Sequence, residues 1–354
     1  MSSSEEDAWR QYFDTKEDVT LDNGDAFRTY HAGSKGPHIV LLHGGGYSSM
    51  TWCLLVPMLK EHFTLHALDF RGHGMTQTSD DQDLSISTLV QDVVDVLARI
   101  LPESEEGGQK TQTVIAGHSL GGAVAVRVAA TEKVSSLVGV MVIDVVEGTA
   151  VASLDHMHRI LSKRPSVFSS PEQAVHWALQ SGTVRNAEAA AVSIPSQLTE
   201  GDHHGTYKWR TDLASSAPYW KDWFLGLSEQ FLSLKAAKVL VLAGSDRLDT
   251  ALMRGQMMGK FELRLLYGSG HAIQEDCPDQ LAQALVDFCG RCARTVDLAS
   301  IRIAANGGAA ACAGPAVSSA NDLLAQRLAK ARAMVPPVMP AVMPSSIPKP
   351  PPSS

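Results

Sequence analysis

Four short runs along this chain, HIVLLH (38–43), TVIAG (113–117), LVGVMVID (137–144) and KVLVLAG (238–244), are apolar almost throughout instead of alternating. A strand with one wet face alternates polar and apolar residues, so unbroken apolar runs predict a parallel sheet covered by helices on both faces. Between the first two runs, SISTLVQDVVDVLARIL (85–101) sets Ile86, Leu89, Val90, Val93, Val94, Leu97 and Leu101 three and four residues apart, the spacing of a helix packed on such a sheet. The expected class is α/β, mostly parallel, with right-handed crossovers. Nearer the N-terminus, DVTLDNGDAFRTYHA (18–32) has an Asn-Gly pair between two half-apolar stretches, which predicts an antiparallel hairpin at the sheet's edge.

From about 150 to 235 the strand signal vanishes and helical stretches follow one another: VASLDHMHRILSK, PEQAVHWALQSG, RNAEAAAVSIPSQL and YWKDWFLGLSEQFL. This predicts a helical cap inserted into the sheet domain, with 1–149 as the first part of the core, 150–235 as the cap and 236–293 as the remainder. The cap holds Trp177, Trp209, Trp220 and Trp223, expected as its core, with the lining of a cleft as the alternative. Residues 294–354 are rich in alanine and proline and end in VPPVMPAVMPSSIPKPPPSS, a composition that cannot build a packed core and is expected to be disordered.

With 354 residues, 44% of them hydrophobic, the chain can bury one large core. A formal net charge of -8 with scattered lysines and arginines leaves no footprint for nucleic acid. The acidic start MSSSEEDAWRQYFDTKEDV lacks the basic and apolar segments of a signal peptide, and no apolar run is long enough to span a bilayer. The expectation is a soluble intracellular protein, cytoplasmic or also nuclear, with no membrane partner. Five sparse cysteines (Cys53, Cys277, Cys289, Cys292, Cys312) suit free thiols better than a disulfide framework. Cys289-Gly-Arg-Cys292 has metal or redox spacing but no second pair of ligands, and it falls where a final helix should run, so it is expected to pack; no metal and no cofactor are expected.

Chemistry enters at GHSLGG (117–122), where a serine flanked by glycines stands between an apolar strand and an alanine- and valine-rich helix. The pattern Gly117-x-Ser119-x-Gly121 is that of a nucleophile elbow, a turn too tight for larger neighbours. A serine hydroxyl needs a base to take its proton, and a histidine base needs a carboxylate to fix its tautomer. His271 in YGSGHAIQED follows a strand-like run and precedes the last helix, as the order serine, acid, histidine requires, whereas His118 lies inside the elbow and is expected to be structural. Asp144, ending LVGVMVID, and Asp246, just after KVLVLAG, both lie at the carboxyl end of a parallel strand. Asp246 holds the commoner position for the acid, and position alone leaves both open.

Attack on an ester carbonyl creates an oxyanion, which needs backbone N–H groups already aimed at it. HGGGYSSMTW (43–52) follows a strand at the right place, and one donor is assigned to Gly45 and the other to Leu120, the residue after the serine. Neither G-x-G-x-x-G nor G-x-x-x-x-G-K-[ST] occurs, so the glycines are not a nucleotide cradle. Together with LDFRGHGMTQ (68–77), these motifs in this order are specific for the α/β-hydrolase fold.

Beyond those motifs, the stretches LLHGGGYSSMTW, AGHSLGGAVAV, MVIDVVEGTAVASL, RPSVFSS, YWKDWFLGLSEQFL, LVLAGSDRLD, GQMMGKF and GHAIQEDCPD run between residues 9 and 292. In them the sequence resembles the protein phosphatase methylesterases, which remove the methyl ester from the C-terminal leucine of the phosphatase 2A catalytic subunit. The resemblance implies Ser119 as nucleophile, His271 as base and Asp144 as acid, which reverses the positional preference for Asp246. It also implies the methylated phosphatase 2A catalytic subunit as partner. Because a methyl ester on a flexible chain end offers few atoms to bind, remote surface must supply specificity, and the aromatic segment YWKDWFLG (219–226) is the candidate for part of it, with cap core as its alternative. The rival expectations are a small-molecule carboxylesterase or carbon–carbon bond hydrolase of the same fold, and a catalytically idle phosphatase-binding protein.

Overall fold

The computed structural model describes residues 8–102, 111–244 and 248–292. The expectations for the first seven residues, for Asp246, for Cys312 and for the tail 294–354 lie outside the described residues.

Eight strands form the main sheet: β1 (Thr15–Thr20), β2 (Ala26–Ala32), β3 (His38–Leu42), β4 (Thr64–Leu68), β5 (Thr113–His118), β6 (Leu137–Ile143), β10 (Ala237–Leu242) and β11 (Glu262–Leu265). Their spatial order is β1-β2-β4-β3-β5-β6-β10-β11. β1, β2 and β4 pair antiparallel, and every pairing from β4 through β11 is parallel. The β1–β2 hairpin is the predicted edge element, turning through Asn23 and Gly24, the latter at φ 87°. The unbroken apolar runs have the predicted cause: all six residues of β5 are buried, and separate hydrophobic clusters cover the two faces of the sheet. Helix α1 (Ile86–Ile100) opens on Ser85, whose side chain accepts a hydrogen bond from the Thr88 amide, and buries Leu89, Val93, Val94 and Leu97. Asp92 on the same face is also buried, where its carboxylate takes the guanidinium of Arg71 at 2.8 Å, a partnership that apolar periodicity could not reveal.

The sheet's topology places the site. β3 lies between β4 and β5, so the chain leaves β3 to one side and returns to the other, making a switch point whose crevice opens at the strands' carboxyl ends. Leu42 is opposite Gly117 across the β3–β5 pair, which sets the loop after β3 beside the turn after β5.

Between β6 and β10 the chain is mostly helical, but the structure differs from the sequence expectation in one respect. Strands β7 (Val167–Phe168), β8 (Leu198–Glu200) and β9 (Tyr207–Trp209) form a small antiparallel sheet in the order β7-β9-β8. Strands of two and three residues are too short to display a period, which is why the strand signal disappears there. Trp220 and Trp223 are 1% and 2% exposed, and their indole N–H groups bond the Ser216 hydroxyl and the Leu84 carbonyl. Phe224 is buried with them, so three of the four rings of 219–226 are core, while Tyr219 is half-buried and Leu225 is exposed. Trp177 and Trp209 pack beside Phe168 in a separate small cluster. Cys289 is buried in the last helix (Pro278–Cys292), and Cys53, Cys277, Cys289 and Cys292 are free thiols. Among the described residues no helix is long and apolar enough to cross a membrane, and no cluster of His, Cys, Asp or Glu could hold a metal ion.

Candidate active site

Ser119 directly follows β5 and stands at the N-cap of helix α2 (Leu120–Ala130) at φ 52° and ψ -117°. L-residues seldom adopt this conformation, and it persists only where the surroundings enforce it. The glycines on either side explain the enforcement: a Cβ on Gly117 would stand 2.1 Å from the Gly121 carbonyl oxygen, and one on Gly121 would stand 2.3 Å from that of Leu42. Helix α2 is thereby pressed against β3 and β5. Asp144, directly after β6, is at φ 53°, so two of the three described non-glycine residues with positive φ are the sequence-predicted serine and acid.

Asp144 is 1% exposed. One carboxylate oxygen accepts the Ala243 amide at 3.1 Å, and the other lies 2.7 Å from Nδ1 of His271. That pair fixes the imidazole with Nδ1 protonated and Nε2 free, and the ring is about half exposed at the mouth of the site. Ser119 Oγ stands without a hydrogen-bond partner among the described residues.

His118 is buried and acts on His271 through the backbone: its Nε2 lies 2.8 Å from the His271 carbonyl oxygen, and Gln274 Nε2 approaches its Nδ1 at 3.3 Å. Burial, reinforced by the nearby His271 ring, drives its pKa down to about 3, so it is a neutral strut.

The loop after β3 is tied down from below. His43 accepts the Phe70 amide, the Gly46 amide donates to His73 Nε2 at 2.9 Å, and buried Asp69 accepts the amides of Ser49 and Met75. The turn at 68–77 thus has a physical task, anchoring the glycine loop. With the Gly46 amide engaged, those of Gly45 and Leu120 remain without partners among the described residues. The two residues are adjacent, since a Cβ on Gly45 would lie 3.6 Å from Leu120 Cδ2. The Leu120 amide is also the first N–H of a helix, at its positive end.

Sequence reasoning missed a buried group beside these residues. Glu275, fully buried in the turn after His271, accepts the Thr51 hydroxyl at 2.5 Å and the Ser193 hydroxyl at 3.0 Å, and Gln274 Nε2 donates to Thr51 Oγ1 at 2.8 Å. The network joins the His271 loop to the loop after β3 and to the segment between β6 and β10. Burial raises the Glu275 carboxyl to about 7 despite the two hydroxyl donors. From an ordinary value of 4.5 up to about 7, the unfolded chain releases this proton while the folded protein keeps it, so the folded state loses stability across that window as pH rises. Glu275→Gln, which removes the titration, should flatten the pH dependence of the melting temperature between those limits. A slope identical to the wild type would contradict the assignment.

The comparisons agree with this architecture. The alpha/beta hydrolase family model matches residues 39–284. A probable protein phosphatase methylesterase 1 of Caenorhabditis elegans is 45% identical over 286 residues, covering 80% of this chain and 77% of that protein. Protein phosphatase methylesterase 1 of Homo sapiens is 38% identical over 328 residues, covering 79% of this chain and 83% of that one. Among solved structures, E-2-(acetamidomethylene)succinate hydrolase superposes with a TM-score of 0.63 at 19% identity, over 77% of this chain and 99% of that one, a likeness of fold. With relatives this similar over most of their length, the chain belongs to the protein phosphatase methylesterase family of α/β hydrolases.

Proposed function

We propose that this protein is a serine carboxylesterase that removes the methyl ester from the C-terminal leucine of the phosphatase 2A catalytic subunit, with Ser119, His271 and Asp144 as its catalytic triad. The observation that carries the chemistry is the 2.7 Å pair between His271 Nδ1 and the buried Asp144 carboxylate, at the same sheet edge as a serine held in a strained turn. As substrate enters, Ser119 Oγ closes on His271 Nε2, a contact often loose in resting enzymes. Oγ attacks the ester carbonyl carbon while Nε2 takes its proton, and Asp144 steadies the imidazolium. The carbonyl π pair moves onto oxygen, where the Gly45 and Leu120 amides receive it. Collapse breaks the carbon–methoxy bond, His271 protonates the leaving oxygen, and methanol departs. Water, deprotonated by His271, then attacks the acyl-serine, which releases the free carboxylate and restores Ser119.

A methyl ester at a flexible chain end offers few atoms to bind, so discrimination has to come from surface remote from the reacting carbon. The expected result is a kcat/KM for intact methylated catalytic subunit at least tenfold above that for a short methyl-esterified peptide of the same C-terminal sequence. Equal values would leave a general carboxylesterase. A cytoplasmic or nuclear location follows from the proposed partner.

A further inference from the structure

Arg164, directly after the helix Leu154–Lys163, carries a guanidinium that pairs with no carboxylate among the described residues, its titratable neighbourhood being limited to the buried Tyr47 phenol. Its central carbon lies 3.3 Å from the centroid of the Trp209 ring, and the Trp209 indole N–H donates to the Pro165 carbonyl at 2.7 Å, which ties the residue after the arginine to the same ring. Nε is buried without an acceptor, and among the described residues no carboxylate or carbonyl oxygen hydrogen-bonds the head group. The contrast within the molecule is Arg71, an enclosed guanidinium closed by Asp92 and Asp25. Leaving a charge largely out of water without a partner is costly, so the arrangement is one that a ligand completes.

Its position says which ligand. Nη1 lies 3.8 Å from where a Cβ on Gly46 would stand, next to the Gly45 amide proposed for the oxyanion hole. Leu213 lies against both glycines, and Leu120 lies against Gly45, so the cation borders apolar side chains beside the glycine loop. Stacking on Trp209 covers one face of the guanidinium and leaves its in-plane N–H edge for a planar acceptor, the geometry of a bidentate carboxylate contact.

We propose that Arg164 is a carboxylate subsite beside the glycine loop, completed by an anionic group on the C-terminal peptide of the substrate. This rests on the esterase reading above. The carboxylate has two possible sources: the α-carboxylate freed by each turnover, or an acidic side chain among the residues preceding the ester. In the first case Arg164 binds product, and in the second it binds substrate and product alike.

The experiment measures competitive inhibition of methyl-ester hydrolysis by four short leucine-terminated peptides, with a free or amidated C-terminus, each with or without a single aspartate in the three preceding positions. Wild type should bind at least one carboxylate-bearing peptide about tenfold more tightly than the amidated, aspartate-free one. Which modification confers the gain identifies the source. Arg164→Gln should remove the preference and Arg164→Lys should keep part of it, with fluorophosphonate labelling of Ser119 reporting that each variant retains a formed site. The proposal is overturned if wild type shows no preference, or if the full preference survives in Arg164→Gln. Failure of wild type to hydrolyse any methyl ester would instead refute the esterase reading.

Discussion

Ser119→Ala is expected to abolish ester hydrolysis while the protein remains folded. The elbow geometry is held by Gly117 and Gly121 and by the packing of α2 against β3, none of which uses the serine hydroxyl, so the methyl side chain of alanine fits the same turn. What disappears is the atom that attacks the ester, and without a nucleophile the remaining donors can give only a residual rate, about 10⁶-fold below wild type. Hydrolysis of an activated ester and labelling by a fluorophosphonate read the loss, and an unchanged melting temperature shows that it is chemical. More than trace activity in a folded variant would remove Ser119 from the mechanism.

Asp144→Asn is expected to reduce kcat by about four orders of magnitude. The carboxylate now accepts the Ala243 amide on one oxygen and faces His271 Nδ1 with the other. An amide in that place can present its NH₂ to Nδ1, which favours the tautomer with the proton on Nε2, where it can no longer accept from Ser119. The shape of the side chain is nearly conserved, so KM should move far less than kcat. Asp246→Asn should cost much less; the opposite ranking would transfer the acid's role to Asp246.

The parts legible in the sequence were those that local sterics force into a pattern. An elbow needs glycines two residues either side of centre, and parallel strands covered by helices need apolar residues at every position, so Ser119 and the central strands could be located from spacing alone. The choice between Asp144 and Asp246 could not, because in the sequence each follows an unbroken apolar run, and only the three-dimensional approach of His271 brings its imidazole to Asp144. Likewise, the network around Glu275 draws Thr51 and Ser193 from positions 224 and 82 residues away, and the Arg164 stack joins a residue just before β7 to the last residue of β9, in the small sheet that was too short to predict. The aromatic segment at 219–226 was ambiguous for a different reason: composition does not say which way a ring points, and Trp220, Trp223 and Phe224 are buried while Tyr219 is half-buried.

The most direct test of the central claim is to incubate the protein with the methylated phosphatase 2A catalytic subunit and follow its C-terminal methyl group by intact-mass measurement. The account predicts loss of the mass of one methylene as the ester becomes a carboxylate, at a rate proportional to enzyme, with no loss when Ser119→Ala replaces the wild type. A methyl ester that persists, in the presence of protein able to hydrolyse a small ester, would contradict it.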